Sequence, residues 1–254
     1  MFFPLKDENP TTRQPIVTIG LMVICVLVFL LEKASGQQGM QQIIYQFGLI
    51  PSVLLGLNEL PPNLDVIPAG ATLITSMFLH GGWMHLIGNM WFLWIFGNNI
   101  EDELGHGRFL LFYLLSGLGA AALQIIIGPN SDIPMVGASG AISGVLGAYM
   151  VLYPRAKILT LVFLGFFITM MRITAIWFLG IWFGMQLLYG LASAGGTGGG
   201  IAWWAHIGGF LAGVGLLYIL RQKRARTVGT PKRSAFRPPP SNSDDDNIKR
   251  GPWG

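Results

Sequence analysis

The chain has 254 residues, of which 52% are hydrophobic and only 11% charged, where a soluble domain carries about 25% charged residues. That balance excludes an ordinary soluble globular protein and points to one that crosses a membrane several times. Cys25 is the single cysteine, which excludes a disulfide within the chain. Runs of roughly 20 apolar residues, the length a helix needs to cross about 30 Å of hydrocarbon, predict six spans. They cover 14–32, 82–100, 109–128, 137–154, 172–192 and 203–220, the fourth being the shortest. The first run starts only after Pro15 and has no small-residue cleavage pattern behind it, so it reads as a span and not as a cleaved signal peptide. The expected fold class is therefore all-α and polytopic. Residues 1–13 form an N-terminal segment, 14–221 a six-helix core and 222–254 a tail.

Between the spans, 33–79 is long for a loop and holds several apolar stretches, so it is expected to be partly helical and to lie in the membrane interface. The stretch 156–171, KILTLVFLGFFITMMR, is apolar but bracketed by basic residues. It is expected to be a cytoplasmic connection hugging the membrane, because counting it as a span would put the basic tail outside. GGTGGG at 195–200 predicts a flexible external loop. The tail, with PPP at 238–240 and DDD at 244–246, predicts disorder. With the N-terminus inside, 15 of the 16 Lys and Arg fall on the cytoplasmic side and only Lys33 lies outside. The positive-inside rule then makes both termini cytoplasmic. The net charge of +4 thus reports topology and attraction to lipid headgroups. No basic groove interleaved with aromatics supports a nucleic-acid partner; the partners expected are the bilayer and other membrane proteins.

Polar groups inside spans are costly, so each asks for a reason. His85 and Asn89 in span two, Ser139 in span four and His206 in span six all lie near the external end of spans running in the same direction. His85 and Asn89 are four apart and share a helix face. Gly140, Gly144 and Gly147 beside Ser139, and Gly209 and Gly213 beside His206, form small-residue stripes that let two helix backbones approach. Contact between spans four and six would bring Ser139 to His206. A serine becomes a useful nucleophile when a base takes its proton, and a neutral imidazole suits that task. Backbone N–H groups near Ser139, with His85 and Asn89, would serve a developing oxyanion. Taken singly, a span serine more often bonds the preceding turn's carbonyl, and small-residue stripes are more often packing alone. His80, His85 and His206 lack the i, i+4 spacing and the carboxylate or thiol of a metal site, so no metal is expected. Ala141 stands where the soluble-hydrolase G-x-S-x-G pattern needs a second glycine.

Three ordered motifs, His80-x4-His85-x3-Asn89, Gly137-Ala138-Ser139-Gly140 and Ala205-His206-Ile207-Gly208-Gly209, resemble those of the rhomboid intramembrane serine proteases, over about 13–221. The resemblance implies a rhomboid-like six-helix bundle, with Ser139 as nucleophile, His206 as base, His85 and Asn89 as oxyanion donors, and His80, Gly137, Gly140 and Gly209 in support. It implies no cofactor. The implied reaction is hydrolysis of a peptide bond in or near a transmembrane segment of a substrate protein. Gly97 and Glu101-x3-Gly105 also resemble the family, for packing and for closing the second cytoplasmic turn. Ser143 departs from members that carry an aromatic there to stack on the histidine. The setting expected is a bacterial cell membrane. A binding scaffold without catalysis and a small transporter are the other classes considered. A scaffold of this kind usually lacks the serine or the histidine, and a transporter needs a polar path that the inner halves of the spans do not carry.

Overall fold

The computed structural model describes residues 2–164, 167–193 and 202–221, and in it each of the six apolar runs becomes a helix. In chain order the elements are β1 (Phe2–Asp7), α1 (Ile16–Ala34), α2 (Gly36–Phe47), α3 (Pro51–Leu54), α4 (Thr72–Thr75), α5 (Trp83–Leu104), α6 (His106–Ile127) and α7 (Ser139–Leu152). They continue with β2 (Lys157–Leu164), β3 (Phe167–Thr174), α8 (Ala175–Ser193) and α9 (Trp203–Leu220). The 195–200 loop and the 222–254 tail expected from sequence lie outside the described residues.

Among the described residues, four helices are long and apolar enough to cross a membrane: α1, α6, α8 and α9. The other two of the six fall short for identifiable reasons. α5 carries His85, Asn89, Asn98 and Asn99 among its first 18 residues, which makes it too polar, and α7 has 14 residues, roughly 21 Å at 1.5 Å per residue. The polarity of the bundle is that of a protein dissolved in lipid. Leu31, Ile126, Trp177, Leu188, Tyr218 and Ile219 are exposed, whereas Thr18, Asn99, Glu101, Ser116 and Gln186 are buried.

The all-α expectation is corrected by a three-stranded antiparallel sheet of order β1-β2-β3. Of residues 156–171, 157–164 and 167–171 fall in two paired antiparallel strands, with Lys157 paired to Thr174 and Val162 to Thr169. The sheet's second edge is the N-terminal segment, Phe2 pairing with Val162 and Asp7 with Ile158, with an irregularity between Pro4 and Lys6. Ile158, Thr160 and Val162 are buried and the residues between them are not. That is the period of two of a strand. The sequence hid it because Leu159, Leu161 and Phe163 on the opposite face are apolar as well, giving a greasy run broken only by Thr160. β1 is fastened to the bundle by Trp91 Nε1, which donates to Pro4 O at 2.6 Å. The Asp7 carboxylate accepts from Asn99 Nδ2 at 2.7 Å and from the Tyr149 hydroxyl at 2.8 Å.

The start of α1 has Pro15 at its cap and no side-chain cap of its own. Glu101, from the end of α5, fills that role. Its carboxylate accepts from the backbone N–H groups of Val17 and Thr18 at 2.8 Å each and from Thr18 Oγ1 at 2.7 Å. His106 Nδ1 lies 2.6 Å from Oε1, the oxygen that also accepts from Val17. Gly105, at φ +77°, supplies the left-handed turn from α5 into α6. A Cβ on Gly97 would press on Thr18, so the glycine lets α1 close on α5. The long connection 33–79 is partly helical, as expected, through α2, α3 and α4.

Candidate active site

α7 and α9 touch through glycine. A Cβ on Gly209 would meet the carbonyl of Gly140, and one on Gly213 would meet the backbone of Gly144. This backbone-to-backbone approach is what small-residue stripes permit. Ser139 opens α7 and His206 sits one turn into α9, so the seam sets them face to face. The Ser139 hydroxyl and His206 Nε2 are 2.9 Å apart.

On the far side of the imidazole, Nδ1 lies 2.9 Å from Gln186 Oε1 of α8. Trp182, one turn before Gln186, places its ring centroid 6.1 Å from that of His206 at 36°, and Trp203 lies edge-on at 6.2 Å. Ser143 does not take the place of an aromatic against the ring. It is buried and donates back to the Ser139 carbonyl at 2.6 Å. The aromatic neighbours of His206 come from α8 and α9.

Gly137, just before α7, has φ +121° and donates its N–H to Ser76 O at 2.8 Å. A Cβ here would sit 2.6 Å from His85 Nε2 and 3.5 Å from Asn89 Nδ2. Only glycine leaves room for both side-chain nitrogens beside the backbone that leads to Ser139. The Gly81 N–H makes a long bond to His85 Nδ1, 3.4 Å, which leaves Nε2 as the N–H of a neutral ring. Asn89 Nδ2 is buried without a hydrogen-bond partner. An orphan donor of this kind is costly and asks for an explanation. α7 also starts without a side-chain cap, so its first-turn N–H groups point the same way as any helix N-terminus.

His85, Asn89, Gly137, Ser139, Gly140 and His206 all line one cavity of about 1020 Å³. His80 and Gly209 stand behind it. His80 is fully buried. Its N–H reaches the Glu32 carboxylate at 3.3 Å, its Nδ1 lies 3.2 Å from Phe78 O, and its ring packs edge-on against His85 at 5.2 Å. It therefore ties the end of α1 to the loop that backs His85. One rim of the cavity includes Ser131 and Ile133. Between them, Asp132 accepts from Ser52 Oγ at 2.6 Å and from Asn58 Nδ2 at 3.0 Å. These bonds hold its carboxyl below the ordinary carboxylate value. The stability they lend the rim is complete above that ordinary value and is lost as pH falls through the lowered one.

Sequence reasoning missed Gln186, Trp182 and Trp203. The signal for Gln186 was present, since a glutamine inside an apolar span is costly on the same rule that singled out Asn89.

These features define a helical membrane protein with a hydrogen-bonded serine–histidine pair inside a cavity between helices. The rhomboid domain family matches residues 69–223, more than half of the chain. Three relatives are similar over shorter stretches. Rhomboid-like protein 11, chloroplastic, of Arabidopsis thaliana is 36% identical over 104 residues, 40% of this chain and 37% of its own length. Rhomboid protease GluP of Bacillus subtilis is 31% identical over 137 residues, 54% of this chain and 24% of its own. Rhomboid protein 1, mitochondrial, of Saccharomyces cerevisiae is 31% identical over 143 residues, 48% of this chain and 40% of its own. The matched stretches thus span well under half of these relatives, which come from plant, bacterium and yeast. The chain belongs to the rhomboid family.

Proposed function

We propose that the chain is an intramembrane serine endopeptidase that cuts transmembrane protein substrates through a Ser139–His206 dyad. The observation that carries this reading is the 2.9 Å contact of Ser139 Oγ with His206 Nε2 at the wall of the cavity, beside the unpartnered donor of Asn89. In the proposed reaction His206 Nε2 takes the hydroxyl proton while Oγ bonds to the scissile carbonyl carbon. The oxyanion is met by Asn89 Nδ2, His85 Nε2 and the N–H groups at the start of α7. Collapse breaks the C–N bond, and His206 returns the proton to the leaving amine. Water then attacks the acyl-enzyme, giving a proton to His206; the C–Oγ bond breaks, the new carboxyl end leaves, and His206 returns the proton to Oγ, which restores Ser139. Incubation of the full chain in detergent with a fluorophosphonate tests the reading. A covalent adduct on Ser139 is expected, and none on the Ser139→Ala chain.

Asn89→Ala is expected to lower kcat by about 10²-fold or somewhat less, because loss of one oxyanion donor costs 10²–10³ and His85 and the backbone donors remain. Melting temperature should change little, since the amide nitrogen has no partner to lose. An unchanged kcat would remove Asn89 from the oxyanion site.

The chain is further proposed to cross the membrane six times with both ends cytoplasmic. The positive-inside count supports this, with 15 of 16 basic residues on one side. Single cysteines placed at residues 13 and 108 should be shielded from a membrane-impermeant thiol reagent in intact cells, and one at residue 59 should be labelled. Labelling at 108 would reverse the orientation.

A further inference from the structure

α8 faces His206 with two side chains four residues apart, Trp182 and Gln186, which therefore share one face of the helix. Gln186 is buried, at 6% exposure, in a helix that is otherwise almost entirely apolar. Burying an amide there is costly unless it is hydrogen-bonded, and its oxygen meets His206 Nδ1 at 2.9 Å.

We propose that Gln186 is a positioning residue for His206, whose Oε1 accepts the Nδ1–H and so keeps the lone pair on Nε2, facing Ser139. The role rests on the Ser139–His206 reading given above. A neutral imidazole has one donor and one acceptor nitrogen, and the bond made by one decides the state of the other. With a carbonyl at Nδ1, the proton must sit on Nδ1, and Nε2 is free to take the serine proton. With the amide NH2 turned to Nδ1 instead, the proton would move to Nε2 and the serine hydroxyl could not be activated. When Nε2 gains the proton, the Gln186 carbonyl dipole stabilises the resulting cation. A neutral amide does this within a span at lower desolvation cost than a carboxylate. Trp182 then limits the ring from the same helix face, in a chain where Ser143 is bonded to the Ser139 carbonyl and cannot stack on it.

The groups facing His206 from the other packed elements are few among the described residues. His85 of α5 is titratable and lines the same cavity. α7 presents the Ser139 hydroxyl, α6 presents neutral Gln124, which accepts from the Ala205 N–H at 3.2 Å, and α9 presents Trp203. A carboxylate introduced at 186 would therefore be the first acidic neighbour of the ring.

The test is the rate of fluorophosphonate labelling of the full chain in detergent, measured from about pH 5 to 9 for wild type, Gln186→Leu and Gln186→Glu, with Ser139→Ala as the blank. Gln186→Leu should slow labelling by roughly 10- to 100-fold, by comparison with the loss when the partner orienting a metal-bound histidine is removed. Gln186→Glu should recover most of that loss, and it should move the acidic limb of the profile up by about one pH unit or more, because an anion beside the ring favours its protonated form. Gln186→Leu should move the same limb down, because the protonated ring loses the carbonyl that stabilises it, and a glutamine that does not serve the ring would leave that limb in place. Labelled wild type with both variants at the wild-type rate and an unmoved limb overturns the role of Gln186 and leaves the dyad standing. Wild type that is not labelled at Ser139 overturns the proposed function itself and this role with it. Should Gln186→Leu fail to fold, Gln186→Met, which also lacks a carbonyl, takes its place in the same comparison.

Discussion

Ser139→Ala is expected to leave a folded protein whose proteolysis falls by at least on the order of 10³-fold, as when a serine nucleophile is removed elsewhere. The alanine removes only the hydroxyl, and the glycine contacts that hold α7 to α9 do not involve it. Turnover depends on the bond that Oγ would form, and the nearby Ser143 does not replace it, because its hydroxyl is directed at the Ser139 carbonyl and not at His206. His206→Ala should lose about as much, and the double variant should lose no more than either single one, since nucleophile and base act as one unit. The measurement is cleavage of a fluorescently labelled transmembrane protein by matched amounts of each variant, with melting temperatures alongside. Substantial cleavage by Ser139→Ala would end the serine-protease reading.

The second large effect is structural. Gly213→Ala places a methyl group against the backbone carbonyl and Cα of Gly144, and neither backbone can turn aside as a side chain would. Overpacking of this kind costs about 1–3 kcal/mol and more where the obstacle is rigid. A marked fall in melting temperature and in labelling of Ser139 is expected, because the seam that must open is the one that sets Ser139 against His206. Gly215→Ala, two residues further on the same helix, provides the contrast. A Cβ there meets nothing within 4 Å, so its melting temperature should match or slightly exceed wild type. Equal melting of the two variants would show that α7 and α9 are not held at backbone distance.

The six helices were legible because each is a long apolar run, and their bounds shift by only a few residues. The meeting of Ser139 and His206 was legible through glycine stripes on both helices, which say that two backbones touch and therefore which side chains beside them meet. The sheet was not. Along 158–163 only Thr160 interrupts an apolar run, so burial alternates in the fold while hydropathy does not alternate in the sequence. β1 was hidden for another reason: nothing in FFPLKD names its partner, which lies more than 150 residues away. Gln186 was visible in principle. A glutamine has no acid–base or nucleophilic chemistry of its own to mark it, and acts here through the residue it holds. Likewise, Ser143 signalled an absent aromatic, whereas the aromatic that takes its place, Trp182, is on a different helix.

The partner of β1 also sets an order of events during biosynthesis. Phe2 pairs with Val162, so the first strand cannot be completed until some 160 further residues have been made. At synthesis rates of 5–20 residues per second this is a wait of roughly 10–30 s, during which the edge of β1 and the Asp7 carboxylate have neither β2 nor Tyr149 to bond with. The sheet is thus among the contacts of highest sequence separation in the chain, and closure of its outer strand is a late step of folding. It locks the chain's beginning to the link between α7 and α8 only after both the nucleophile-bearing helix and its connection to the next one exist.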